Sequence, residues 1–245
     1  MKRCVMKHTL RRLGTPHDLS VFEKALWAVS LCAVTLSFLL CGAFDPLTLL
    51  ASLVGVTALI YVAKGLVIGQ ILTVVFAVLY GIISFRLRYY GEMITYLGMT
   101  SPIALLAVFS WLLHPFRETK TVAVHELNRR EIALLLGLTV VVTAGFFFLL
   151  RRLGNARLAV STVSIATSFL ASALTLKRSA AYGLAYAAND VVLLVLWILA
   201  SIGDRAYVPM VVCFLMFLCN DLYGFFNWLR LRNAQKADIS SPHGA

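Results

Sequence analysis

The 245-residue chain has little charge: Asp, Glu, Lys and Arg together make up 13% of it. A soluble domain carries about 25%, with about 45–50% apolar residues. Hydrophobic residues reach 60% here, so a water-soluble globule is excluded and lipid is the solvent. Acids are the scarcer charge, 11 against 22 Lys and Arg, which leaves a net charge of +11. In a soluble chain that excess would point to nucleic acid. In a membrane chain it reports which side the loops face, and nucleic acid drops out as a partner. The five cysteines (Cys4, Cys32, Cys41, Cys213 and Cys219) form no CxxC pair, and four lie in apolar runs. A disulfide framework or zinc site is therefore not expected. P-loop, HExxH and GxSxG are missing, and the five histidines lie in tails or loops without metal-ligand spacing. We expect no enzyme, no cofactor and no metal.

What is present is long apolar sequence. A helix needs about 20 apolar residues to cross the hydrocarbon core. Eight stretches qualify: 22–43, 46–63, 66–85, 92–113, 131–150, 157–176, 181–201 and 206–228. The second is short and the first two breaks are weak, so seven or nine spans stay open. The first apolar core exceeds the roughly 7–15 residues of a signal peptide and is read as a retained helix. With the N-terminus inside, only Arg86, Arg88, Arg151, Arg152, Arg157 and Arg205 fall outside. The other 16 of 22 basic residues lie inside, which favours cytoplasmic N- and C-termini. The tail from Ala237, with Ser240-Ser241-Pro242, reads as disordered.

Residues 78–111 repeat as 195–228. Shifted by 117, they give 10 identities in 34 ungapped positions, among them Arg88/Arg205, Tyr90/Tyr207 and Trp111/Trp228. Tyr80 falls opposite Trp197. Four spans separate the copies, an even number, so both run the same way through the bilayer. Parallel repeats of this kind mark secondary transporters, with substrate near the midplane between the halves. The expected order is a segment 1–21, an additional helix 22–43, a three-helix unit 46–113, a linker helix 131–150, a second three-helix unit 157–229 and a tail 230–245.

Two acids, Asp190 and Asp221, fall inside spans, where a charge costs roughly 2.5–3.5 kcal/mol and needs a cavity or partner. In span seven Tyr182, Tyr186, Asn189, Asp190, Leu193 and Trp197 form one stripe. In span eight Asn220, Tyr223, Gly224, Asn227 and Trp228 form another. Aromatic faces beside amides and carboxylates suit a ligand with a flat ring and several hydroxyls; joining helices is the other use of such groups. Gln70, Tyr96 and Thr100 are the first-half candidates. Thr100-Ser101-Pro102 predicts a kink, and Glu92 a helix-start residue favouring the dipole. The run Ser161 to Ser172 predicts a tight helix contact, or a hydroxyl-lined path. Trp111 and Trp228 near span ends read as interfacial anchors.

The run Tyr80-Gly81-Ile82-Ile83-Ser84-Phe85-Arg86, then Tyr90-Gly91-Glu92, Asn189-Asp190, Leu196-Trp197 and Asn220-Asp221-Leu222-Tyr223-Gly224-Phe225-Phe226-Asn227-Trp228 resembles the PnuC family of vitamin-precursor transporters. The resemblance covers about residues 46–232. It implies an all-α integral membrane protein of eight transmembrane helices: one extra helix plus a SWEET-like 3+1+3 parallel repeat. It implies uptake of nicotinamide riboside across a bacterial inner membrane by facilitated diffusion, feeding NAD synthesis with trapping by a cytoplasmic kinase, and a homotrimer. Tyr186 and Asp190 match a Trp-x-x-x-Asp element of many members, with Tyr here for Trp, and Gly183 stands where a second Trp is usual. Related branches carry thiamine, riboflavin or deoxynucleosides, and a non-transporting receptor or assembly subunit is the alternative from another class. The expected substrate residues are Tyr186, Asn189, Asp190, Trp197, Asn220, Asp221, Tyr223, Asn227, Gln70, Tyr96 and Thr100, with the ring on Tyr186 or Trp197.

Overall fold

The computed structural model describes residues 15–41, 45–154 and 157–240. Cys4, the basic residues of the N-terminal segment up to Arg12, and the last five residues of the tail lie outside the described residues.

Eight helices are long and apolar enough to cross a membrane. They are α1 (Val21–Cys41), α2 (Pro46–Ala63), α3 (Val67–Arg86), α4 (Tyr90–Leu113), α5 (Arg129–Arg152), α6 (Leu158–Leu176), α7 (Tyr182–Gly203) and α8 (Val208–Ser240). Local chemistry sets their ends. Asp45 caps α2, accepting from the Leu47 and Thr48 amides, with Pro46 in the first turn. Asn128 and Glu131 form a capping box at the start of α5. The α2–α3 and α6–α7 turns each pass through a left-handed residue, Gly65 at φ +74° and Arg178 at φ +57°. The predicted kink in α4 is a π-helical turn over Tyr96–Thr100, where the Ser101 amide reaches back to the Tyr96 carbonyl.

Helices α2, α3, α4, α6, α7 and α8 close into a ring. α2 packs on α3, α3 on α4, α4 on α6, α6 on α7, α7 on α8, and α8 back on α2. Exchanging α2, α3, α4 with α6, α7, α8 maps this set of contacts onto itself. Outside the ring, α1 lies on α2 and α8, and α5 lies on α6. Polar bonds fasten α1: Glu23 accepts from Lys64 Nζ (3.0 Å) and the Tyr223 hydroxyl (2.8 Å), Trp27 Nε1 donates to Thr57 Oγ1 (3.1 Å), and Asn220 Nδ2 donates to Ser30 Oγ (3.0 Å). By contrast α5 is almost wholly exposed to lipid.

The same exchange relates individual hydrogen bonds. Trp111 Nε1 on α4 donates to the Thr175 carbonyl at the end of α6 (3.0 Å), and Trp228 Nε1 on α8 to the Val62 carbonyl at the end of α2 (2.9 Å). One residue earlier on each helix, Ser110 Oγ donates to Leu176 and Asn227 Nδ2 to Ala63. The two indoles meet with ring centroids 5.4 Å apart. They are therefore not interfacial anchors. Both are fully buried, and each adds a second donor, from the other half, to a helix-end carbonyl that already accepts a backbone N–H from the following turn.

At the end of the bundle that carries the Lys64 and Lys177 turns, residues 114–128 form a belt. Its Val122 amide donates to the Gly65 carbonyl and its His125 amide to the Arg178 carbonyl, so it joins the two left-handed turns. The tail reading is corrected here: α8 continues as helix to Ser240. Gln235 pins it to the belt, accepting from the Val124 amide and donating to the Val122 carbonyl. Lys236 sits 2.7 Å from Glu126, a bond that holds the Glu126 carboxyl below its usual range, and Arg117 pairs with Asp238.

Trp111→Phe and Trp228→Phe each remove one hydrogen bond between the halves while the carbonyl keeps its backbone donor, at a cost of about 0.5–1.5 kcal/mol. Thermal unfolding of the detergent-solubilised protein should show a lower midpoint for both, by similar amounts. A midpoint unchanged in either variant contradicts the paired role.

Candidate functional site

Inside the ring, α2, α3, α4, α7 and α8 enclose a cavity of about 40 Å³. Aromatic layers flank it along the bundle. At the belt end stand Tyr182, Trp228 and Trp111, with Tyr182 edge-on to Trp228 at 4.8 Å. At the opposite end Trp197 Nε1 donates to the Tyr80 hydroxyl (3.1 Å), and Tyr89, Tyr207 and Tyr96 pack around this pair. Tyr80 and Trp197 are equivalent positions of the repeat, as are Trp111 and Trp228. The cavity thus lies between two contacts that each half makes with its own counterpart.

Seven sequence-predicted residues line it: Gln70, Tyr96, Thr100, Tyr186, Asn189, Asp190 and Asp221. Four do not. Trp197 is in the layer beyond the cavity, held by Tyr80. Asn220 points away, to Ser30 of α1, and Tyr223 likewise reaches Glu23 of α1. Asn227 satisfies the end of α2. The span-eight stripe is therefore corrected: its polar groups face neighbouring helices, and only Asp221 turns inward.

The wall also contains residues no sequence pattern singled out, chiefly Phe76, Phe217, Thr73 and Gly55. Phe76 stands edge-on to Tyr96 (5.9 Å) and to Phe217 (5.3 Å), so three rings from α3, α4 and α8 converge. Gly55 admits them: a Cβ there would clash with Phe217 and lie 2.9 Å from Phe76. A glycine inside an apolar span is weak evidence alone, which is why sequence reading passes over it. Gly183 has a different cause. A Cβ there would sit 2.7 Å from the Phe225 amide nitrogen and 2.8 Å from the Asp221 carbonyl oxygen, so α7 and α8 touch backbone to backbone and no Trp fits.

The polar groups are oriented from behind. Asn189 accepts from Thr167 Oγ1 (2.9 Å) and Ser168 Oγ (2.8 Å), which fixes its carbonyl toward α6. Its amide N–H groups are then the free pole. Ser172 Oγ bonds the Tyr186 hydroxyl at 3.2 Å. The buried serines of α6 are thus a tight contact that positions α7. Asp190 and Asp221 are both 3% exposed and line the same cavity. Asp190 Oδ2 and Thr100 Oγ1 are buried without a partner, although both residues line the cavity. In an apolar interior such atoms are costly unless a ligand or water completes them. No Lys, Arg or His lines the cavity. Glu92 stands in the first turn of α4 as expected, buried, with Ser164 Oγ at 3.5 Å.

A larger groove of about 690 Å³ opens sideways between α5 and the ring at the belt end. Half of its wall is Leu and Ile, and none of the predicted residues lines it. The enclosed polar cavity, though smaller, is the candidate site, because Asp190 Oδ2 and Thr100 Oγ1 lie in its wall without partners.

A family model described as nicotinamide mononucleotide transporter matches residues 45–230. Among curated proteins, the chain is similar to the nicotinamide riboside transporter PnuC of Neisseria mucosa, 26% identical over 196 residues that cover 77% of this chain and 74% of the relative. Among solved structures, it resembles the crystal structure of the vitamin B3 transporter PnuC. The TM-score is 0.77 at 24% identity, over 94% of this chain and 97% of the other, and at that identity the likeness speaks for the fold.

Gly55→Ala adds a methyl against Phe76 and Phe217. Helix propensity favours the change by up to about 1 kcal/mol, but overpacking opposes it by about 1–3 kcal/mol. The unfolding midpoint in detergent should fall. A rise would show that the rings move aside freely.

Proposed function

The chain belongs to the nicotinamide mononucleotide transporter family, and from that premise we propose that its own substrate is the unphosphorylated nucleoside, nicotinamide riboside, taken up by facilitated diffusion. The observation that carries the choice is the cavity wall: two carboxyls and no basic side chain. A phosphate monoester carries about −1.5 to −2 at neutral pH, and sites that hold one use Arg, Lys or helix N-termini. This cavity offers none. A pyridinium cation, by contrast, suits aromatic faces and a carboxylate.

In this assignment the ring lies among Tyr96, Phe76 and Phe217, with Tyr186 at its edge. Asn189 donates its amide N–H groups to a carbonyl or hydroxyl oxygen of the ligand, and Gln70 and Thr100 take ribose hydroxyls. Asp190 answers the positive charge. A small-molecule pocket usually measures about 300–1,000 Å³, whereas the cavity holds about 40 Å³. Loading requires the rings and the two halves to part.

The remaining assignments are of one piece. The belt end, with Lys64, Arg129, Arg130, Lys177 and Arg232, faces the cytoplasm of a bacterial inner membrane, which puts both termini inside. A cytoplasmic kinase traps the product as a phosphate that this cavity would reject, feeding NAD synthesis, and the working unit is a homotrimer. A second reading, the same fold carrying thiamine, riboflavin or a deoxynucleoside, draws support from Tyr186 and Gly183, where the resemblance leads one to expect Trp.

Cells lacking their own uptake route and expressing this chain should accumulate labelled nicotinamide riboside, and unlabelled mononucleotide should not compete. Asp190→Asn should lower uptake at least about tenfold, as expected for weakening a charge-assisted contact worth about 1.5–3 kcal/mol. No uptake with the protein present in the membrane sinks the assignment, and competition by thiamine or riboflavin favours the second reading.

A further inference from the structure

A Ser or Thr inside an apolar helix commonly returns its hydroxyl proton to the carbonyl one turn back. Thr139, Thr162 and Thr175 all do so. Ser168 does not. Its Oγ crosses to α7 and donates to Asn189 Oδ1 at 2.8 Å, and among the described residues it has no other hydrogen-bond partner. Thr167 Oγ1 stands 2.9 Å from the same oxygen, but its single proton is shared with the Val163 and Ser164 carbonyls at 3.0 and 3.1 Å. An Asn side chain has one accepting end and one donating end. Turning the Asn189 amide round would leave the buried Ser168 proton without an acceptor, so the carbonyl faces α6. Asn189 Nδ2 then has no protein partner among the described residues, and Asn189 lines the cavity. This arrangement is not part of the shared scaffold. Ser168 lies seven residues before Thr175 in α6, and the residue seven before Val62 in α2, the equivalent carbonyl, is Gly55. The 117-residue shift sets Leu72 opposite Asn189. Hydroxyl and amide occur together in one half and are both missing from the other, so closing the ring of helices does not call for them.

We propose that Ser168 is a positioning residue for substrate selection: with Thr167 behind it, Ser168 turns the Asn189 amide so that this point of the cavity offers hydrogen-bond donors only, and the ligand must answer with an acceptor on its ring. A ribose hydroxyl both donates and accepts, so it fits either end of an Asn and gains nothing from the clamp. A carbonyl on a flat ring accepts only. Asn189 follows Tyr186 by about one turn of α7, and both line the cavity, so Asn189 serves the ring end of the ligand. The carboxamide carbonyl of nicotinamide is an acceptor of this kind, whereas an amine on the ring donates and would meet a donor. The device requires no ion or proton to move with the ligand. It rests on the nicotinamide riboside reading, which supplies the carbonyl.

The test titrates the full-length, detergent-solubilised chain and its Ser168→Ala variant with three ribosides of equal charge. They are nicotinamide riboside and the two pyridinium ribosides that carry, in place of the carboxamide, an acetyl group (acceptor only) or an amino group (donor only). The unaltered chain should bind the carboxamide and acetyl ligands with similar Kd and the amino ligand at least about tenfold more weakly, as expected when a buried donor is left without an acceptor. Ala keeps the helix intact, and in Ser168→Ala the amide is free to turn, so the ratio of amino to acetyl Kd should fall towards one. An unchanged ratio in the variant, whether all three affinities drop together or stay put, overturns the inference and leaves a serine that only packs. Equal binding of the amino and acetyl ligands by the unaltered chain also overturns it, while binding of nicotinamide riboside keeps the substrate reading standing. Absence of binding by all three overturns the substrate reading and the inference with it.

Discussion

An indole N–H bonded to the last-turn carbonyl of a helix in the opposite half, made twice, is the contact on which the bundle depends. Trp111 closes α4 onto α6 and Trp228 closes α8 onto α2. Those are the two seams at which one three-helix unit meets the other. A seam between apolar helices has no hydrophobic driving force in lipid, so packing and satisfied polar groups must supply it. The bonds also fix the distance between the units, and with it the room left at the centre. A ring of six helices joined at two seams leaves a central gap. Over Gly55 the Phe76 and Phe217 rings close in, so the remaining cavity is small.

The halves share a plan and differ in their lining. Thr73 of α3 and Asp190 of α7 occupy equivalent positions, as do Thr100 of α4 and Phe217 of α8, and all four line the cavity. The scaffold is duplicated and the site is not. Acids come from the second unit, whereas Phe76 and Tyr96 come from the first. The acids thus lie on one side only, while aromatic rings come from both units, with Phe217 and Tyr186 in the second.

Much of this was legible in the sequence. Eight spans were expected and eight membrane-capable helices are present, with ends within a few residues except for α8, which continues to Ser240, because apolar length is a strong signal when the solvent is lipid. The pairing of Tyr80 with Trp197 and of Trp111 with Trp228 was visible as a register of the repeat before the rings were seen to touch. The site was half legible. Helical spacing tells which residues share a face but not what that face meets. In α7 the stripe faces the cavity as far as Asp190, but in α8 Asn220 and Tyr223 face α1 and Asn227 faces α2. Phe76 and Phe217 gave no warning, since Phe in an apolar span usually packs. The tail misled for a related reason: its polar composition looks solvated, yet Gln235 has both poles of its amide occupied by the belt.

The two ends of the bundle are fastened unequally. At the belt end, Trp111, Ser110, Trp228 and Asn227 cross the seams, the belt spans both left-handed turns, and α8 clamps the belt. At the opposite end, among the described residues, the contact between equivalent positions is the Tyr80–Trp197 bond with its ring neighbours. In mechanical terms the molecule is a clip with a stiff root and a soft mouth. Fewer polar bonds tie the two halves together at the mouth than at the root, so parting them there breaks less.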